Sequence, residues 1–138
     1  TEWERMSVDE RESLTAHYPL SSMTTADRSI RTFILTGIRD GAHVLDVGAG
    51  DGVFTRLILR ERPACIVHSV DIDTEQVRLL KNARKSLRQK SRLRCYRCAA
   101  EDLGEFFGGS RFDVAISVHA LHHYEDPFVA LRNMRRVL

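Results

Sequence analysis

Three glycines at alternate positions, Gly48, Gly50 and Gly52, follow the apolar run Val44-Leu45-Asp46-Val47. Roughly 20 residues further on, Asp71 closes a second apolar run, Ile66 to Val70. Glycine lets a backbone turn tightly and lets a ligand come close to it. A carboxylate at the end of the next strand can accept hydrogen bonds from both hydroxyls of a ribose. Strand, glycine turn, helix and acid-terminated strand in that order indicate an adenosine-type ligand. A nicotinamide or flavin dinucleotide asks for G-x-G-x-x-G, whose third glycine gives close helix packing, but the register from Gly48 puts Val53 there. The spacing found is G-x-G-x-G, and Asp46, two residues before Gly48, is poorly placed for a pyrophosphate yet tolerable beside a cation. A sulfonium nucleoside fits these residues better than a dinucleotide.

Other groups with chemical potential come later. His119, His122 and His123 follow a fourth apolar run, where one could take a proton from an acceptor. Ordinary surface or packing histidines are the plainer reading, and no carboxylate or cysteine is fixed in the same turn to complete a metal site. Cys95 and Cys98 form a C-x-x-C pair, but in a strand positions three apart point to opposite faces, so the thiols do not converge. The stretch from Lys81 to Arg97 carries Lys81, Arg84, Lys85, Arg88, Lys90, Arg92, Arg94 and Arg97 and no acid. It is either a phosphate-contacting surface or the solvated face of a helix whose C-terminal end favours cations.

These residues need elements to hold them. A helix is expected from about Thr25 to Thr36, with Ile30, Phe33, Ile34 and Ile38 on one face. A strand over 44–47 leads into a helix carrying Phe54, Leu57 and Ile58 that ends by Pro63. After the strand 66–70, Asp73 and Gln76 make a capping box for a helix burying Val77, Leu80, Ala83 and Leu87. Leu93–Cys98 and Phe112–Val118 read as strands three and four, separated by Leu103–Phe107 and a Gly108-Gly109-Ser110 turn. Asp126 and Pro127 open a last helix that buries Phe128, Leu131 and Met134. Strands alternating with helices give an α/β fold, a doubly wound Rossmann-like parallel sheet whose ligands bind at the strands' carboxyl ends.

Composition bounds the rest. With 138 residues, 43% hydrophobic and 29% charged, one globular core is expected rather than disorder, and 8 Gly and 3 Pro exclude a collagen-like or linker composition. A net charge of +2 is too small to argue for nucleic acid by itself. No apolar run approaches a membrane span, the opening Thr1-Glu2-Trp3-Glu4-Arg5 lacks the order of a signal peptide, and three cysteines fit a reducing compartment. A cytoplasmic chain is the expectation. Residues 1–40 read as a helical cap, with a short polar segment at 9–14 and a His17–Tyr18 pair that could belong to a lid. Residues 41–138 form the binding domain.

In series, VLDVGAGDG (44–52), HSVDID (68–73) and FDVAISVHALHH (112–123) resemble motif I, motif II and the fourth-strand motif of the class I S-adenosylmethionine-dependent methyltransferases, specifically the small-molecule group called type 11. The resemblance covers residues 25–138. It implies strand order 3-2-1-4 and S-adenosylmethionine as cofactor. Backbone at Gly48, Ala49 and Gly50 would lie against the methionine part, with Asp46 near its amino group. Asp71 would hold the ribose diol, Ile72 would pack on adenine, and Ser117 would line the other side. Where relatives often place Asp or Asn before the third-strand Ala and acid, this chain has Ala99, so backbone at Ala100 with Glu101 or Asp102 must serve.

The implied activity is methyl transfer by in-line displacement, to a small molecule or, through 81–97, to RNA, DNA or protein. A non-catalytic binding module is the third possibility. His119 and His123 are the candidate bases, and no metal is expected. Relatives continue past the last helix into a fifth strand, so the fourth-strand edge is expected to be covered by a continuation of the chain or by a second copy.

Overall fold

The computed structural model describes residues 25–138. The segment 9–14 and the His17–Tyr18 pair lie outside the described residues. The helices are α1 (Thr25–Thr36), α2 (Val53–Glu61), α3 (Thr74–Lys85), α4 (Leu103–Phe107) and α5 (Pro127–Arg136). The strands are β1 (His43–Val47), β2 (Ile66–Asp71), β3 (Leu93–Arg97) and β4 (Val114–Ile116). Single 3-10 turns occupy Lys90–Arg92, Ala100–Asp102 and Leu121–His123. All strand pairs are parallel and the order is β3-β2-β1-β4, as the sequence resemblance implies. No helix among the described residues is long and apolar enough to cross a membrane.

Each strand sends alternate side chains to opposite faces, and each face has its own core. Val44, Val67 and Leu93 pack with Ile34, Ile38, Ile58 and Leu59 beneath α1, α2 and α3. Leu45, Val47 and Val70 pack with Leu103, Phe107, Ala130 and Met134 beneath α4 and α5. Cys95 joins the first core and Cys98 the second, so the two thiols do diverge. Burial raises both thiol pKa values to about 11, aided for Cys98 by Asp102, which leaves them inert at neutral pH.

Five expectations are corrected. Phe128 and Leu131 of α5 are 77% and 47% exposed; the buried stripe is Ala130, Met134 and Val137. Asp126 does cap this helix, accepting from the amides of Phe128 and Val129, but α5 lies close over Gly104. A Cβ at Gly104 would come within 2.6 Å of the Arg136 side chain, and the Gly104 amide donates to Asn133 Oδ1. Ala130, Met134 and Val137 recur at helical spacing on the face toward the sheet, and Phe128 falls off that face.

The stripe of α1 is Ile30 and Ile34, continued by Ile38 just past the helix, whereas Phe33 falls to its side and is 82% exposed. The capping box of α3 is half made. Asp73 accepts from the amides of Glu75 and Gln76, but its own amide donates to Asp71 Oδ1 rather than to Gln76. Gln76 Oε1 is left buried with no partner among the described residues. Strand four is shorter than 112–118, because the Phe112 amide donates to the Val137 carbonyl at the end of α5 and the chain turns at His119, φ 55°. The third strand likewise ends at Arg97, with one further ladder bond from the Cys98 amide to the Asp71 carbonyl.

The basic stretch has an architectural use that the sequence reading did not resolve. In a doubly wound sheet the helices end, carbonyls outward, near the amino ends of the strands. Arg92 donates to the carbonyls of Leu59, Arg62 and Cys65 there, and Arg84 to those of Lys90 and Leu93. Arg62 serves the end of α1 in the same way, through the carbonyls of Leu35 and Ile38. Arg97, at the far end of β3, donates to the Ile72 carbonyl.

His68 of β2 is buried among Tyr96, Phe107 and Phe112, with Nδ1 unpartnered among the described residues. Burial lowers its pKa to about 4, and the charges of Arg94, Arg111 and His43 push the same way. The folded state therefore holds a neutral ring while the unfolded chain takes up a proton, so this residue withdraws stability as pH falls from about 6.5 to about 4. His68→Phe should make the stability difference between pH 7 and pH 4.5 about 2 kcal/mol smaller than in the unchanged chain, measured by urea unfolding.

Candidate functional site

The turn after β1 is built by hydrogen bonds to β2. The amides of Gly48 and Ala49 both donate to the Val70 carbonyl, at 2.9 and 3.0 Å. The Gly50 amide donates to Asp71 Oδ2 at 2.9 Å, while Asp71 Oδ1 accepts the Asp73 amide at 2.9 Å. Three consecutive amides of the glycine loop are thus satisfied within the protein, and a pyrophosphate would have to compete with a carboxylate for one of them. The loop is not an anion cradle, unlike the phosphate-binding turns that offer their amides outward.

The glycines have different reasons. Gly48, φ +67°, sits under the segment after β4: a Cβ would lie 2.5 Å from Ala120 Cβ and 2.9 Å from the Tyr124 hydroxyl. Gly52, φ +89°, precedes α2 and would strike Leu80 Cδ2 at 2.7 Å. Gly50, φ +59°, has nothing within 4 Å of its missing Cβ. Of the three, Gly50 is the one that faces open space, where a ligand can approach the backbone.

Tyr124 bolts the site together. Its hydroxyl donates to the Val47 carbonyl at 3.1 Å, and Ser117 Oγ, 2.7 Å away, then supplies its own proton to the tyrosine oxygen. The end of β1 is thereby tied to the exit of β4. Burial raises the Tyr124 pKa to about 12; the Ser117 hydrogen bond opposes this, and the charges of Asp46, Asp71 and Glu101 add to it. Only the sequence distance between Ser117 and Tyr124, one loop apart, could have hinted at the pair.

Asp46 is 2% exposed and accepts from Thr55 Oγ1 at 2.6 Å. Burial raises its pKa to about 6, against the pull of the Thr55 hydrogen bond and with the push of Asp71. Ile72 is 62% exposed beside Asp71, its carbonyl held by Arg97. Ala100 is buried in the α4–α5 core, so its side chain belongs to packing. Glu101 Oε1 accepts the Asp126 amide at 3.2 Å and so anchors the start of α5. Asp102 is exposed on the same turn.

His119 lies in an open groove of about 630 Å³ along β4, with Ser29, Ile30, Phe33 and Ile34 of α1 on one wall and Ala115, Ile116, Ser117 and Val118 on the other. It is the only non-glycine residue with positive φ among the described residues. His123 is elsewhere, exposed on its 3-10 turn with its ring 3.9 Å from that of His122. Among the described residues no group of His, Cys, Asp and Glu is arranged to hold a metal.

The glycine geometry predicts a split outcome. Gly48→Ala meets both the Ala120 contact and backbone strain and should cost at least about 2 kcal/mol of folding stability. Gly50→Ala meets strain alone and should cost about 1 kcal/mol. Chemical denaturation of the two variants checks the order.

Known proteins resemble this chain in sequence and in fold. The methyltransferase domain family model matches residues 45–138. A highly reducing polyketide synthase, pkhB, of Emericella nidulans is 32% identical over 142 aligned residues, 96% of this chain and 6% of that protein. A malonyl-[acyl-carrier protein] O-methyltransferase of Halorhodospira halophila is 35% identical over 96 residues, 69% of this chain and 30% of the relative. Among solved structures, the YcgJ protein of Bacillus subtilis superposes with a TM-score of 0.70 at 27% identity, covering 81% of this chain and 46% of that one. The chain spans less than half the length of each of these relatives. The matched domain, the parallel 3-2-1-4 sheet and the site at its carboxyl ends lead to one conclusion: the chain belongs to the methyltransferase domain family, the class I S-adenosylmethionine-dependent methyltransferases.

Proposed function

We propose that this domain binds S-adenosylmethionine at the carboxyl ends of β1, β2 and β4 and directs its methyl group to a small organic acceptor. The observation that carries the reading is the loop after β1, whose three amides are taken by the Val70 carbonyl and the Asp71 carboxylate, beside the buried carboxylate of Asp46. Such a site repels phosphates and favours a cationic nucleoside. The open space over Gly50 is where the chain admits the ligand to its backbone.

S-adenosylmethionine, when bound, supplies an electrophilic methyl on a sulfonium. The chain's task is to hold the donor, orient the acceptor and exclude water. In this reading Asp71 accepts from the ribose hydroxyls with the lone pairs left after Gly50 and Asp73 are bonded. Ile72 covers the adenine, and backbone at Ala100 with Glu101 or Asp102 meets its edge. Gly48, Ala49, Gly50 and Asp46 flank the methionine part, and Ser117, tethered to Tyr124, lines the opposite wall. His119, at the mouth of the groove, is the better placed candidate to take a proton from an acceptor, ahead of His123. The three free cysteines support a cytoplasmic setting.

The groove supports an acceptor with an apolar part, since Ile30, Phe33, Ile34, Ile116 and Val118 line it up to Ser117 and His119. The names of two relatives point the same way, one acting on a malonyl group held by a carrier protein and one a polyketide synthase. A nucleic-acid acceptor loses support because Arg84, Arg92 and Arg97 hold carbonyls of the fold, and the turn between α3 and β3 lies at the amino ends of the strands.

Calorimetric titration with S-adenosylmethionine, S-adenosylhomocysteine and NAD tests the reading. The first two should bind and NAD should not; NAD binding would overturn it. Asp71→Ala should weaken S-adenosylmethionine by about 2 to 3 kcal/mol, as a charge-assisted acceptor of two hydroxyls is lost. Asp73→Ala should instead cost about 1 kcal/mol of stability as a lost helix cap. Gly50→Val should remain folded by circular dichroism and lose binding, because the branched side chain enters the ligand's space.

A further inference from the structure

A chain of hydroxyls ends at Asp46, beneath the glycine loop. Thr55 Oγ1 lies 2.6 Å from Asp46 Oδ2 and 2.6 Å from Ser69 Oγ. Thr55 and Ser69 are 0% exposed and Asp46 2%. A threonine hydroxyl has one proton. Spent on the carboxylate, it leaves Thr55 to accept from Ser69, so the direction is fixed as Ser69 to Thr55 to Asp46. The three come from β2, α2 and β1 and meet because Asp46 and Ser69 are paired in register on one face of the sheet, under α2.

We propose that Thr55 and Ser69 are positioning residues for the amino-acid end of the ligand: their donor chain occupies Asp46 Oδ2 and fixes the plane of the carboxylate that meets the ligand's ammonium group. This rests on the reading that Asp46 meets that ammonium. A buried carboxylate with no donor would take up a proton and lose its attraction for a cation. The Thr55 bond opposes that protonation, and Ser69 strengthens it by polarising the threonine oxygen. Neither hydroxyl needs to touch the ligand.

The test is calorimetry on the full chain with S-adenosylhomocysteine and with 5′-methylthioadenosine, which has the adenosine and thioether but no amino-acid end. Thr55→Val should weaken S-adenosylhomocysteine by about five- to twentyfold and leave methylthioadenosine within about twofold. Thr55→Ser, which keeps the hydroxyl, should restore affinity, and Ser69→Ala should show a smaller loss of the same selectivity. Should Thr55→Val fail to fold, the Ser69→Ala and Thr55→Ser pair decides alone. Equal weakening of both ligands would reduce the chain to a packing role and overturn the proposal. Asp46→Asn separates the levels. If it loses S-adenosylhomocysteine selectively while Thr55→Val and Ser69→Ala bind normally, the proposal is wrong and the Asp46 reading stands. If Asp46→Asn itself binds both ligands normally, the Asp46 reading has failed, and with it the proposal.

Discussion

The end of β2 holds the first turn in place, and the site depends on that tie. Val70 gives its carbonyl to two successive loop amides, and Asp71 gives one carboxylate oxygen to the third amide and the other to the start of α3. A parallel sheet makes this possible because neighbouring strands end at the same level, so the loop leaving β1 passes directly over the end of β2. The shape of the glycine loop and the orientation of Asp71 are a single constraint. The residue read as a ribose acceptor is also what holds the loop open over Gly50.

The two ends of the sheet have opposite electrostatic character for one reason. Helices in a doubly wound fold begin near the strands' carboxyl ends and finish near their amino ends. At the amino ends, carbonyls are satisfied by Arg62, Arg84 and Arg92. At the carboxyl ends, Asp73 and Asp126 cap α3 and α5, and Glu101 holds the Asp126 amide. Carboxylates thus gather at the ligand end partly to start helices. Asp46, Asp71 and Glu101 add charge that Tyr124 senses, and a cation is the natural counterpart.

Much of this was legible in the chain. The glycine spacing, Asp71 at the end of the second strand and the 3.6- and 2-residue periodicities specify strand, turn and helix because each is a local requirement of backbone geometry. Asp73 and Asp126 were readable as caps for the same reason. The parallel order followed from the alternation of elements and from the family resemblance. Which face of α5 turns inward was not legible: Phe128 is more apolar than Ala130, yet Ala130 is the residue that shares the buried face with Met134 and Val137.

What the sequence by itself determined is the kind of ligand and the residues that line up along the strand ends. Tertiary structure alone decided how those residues divide their work. Gly48 and Gly52 are glycines for packing, and Gly50 is the one beside open space, although all three have the same φ sign and look alike in the motif. Thr55, Ser69 and Asp46 lie on three elements, as Ser117, Tyr124 and Val47 lie on three segments. A hydrogen bond across such distances in sequence depends on strand register and helix placement, which periodicity does not encode.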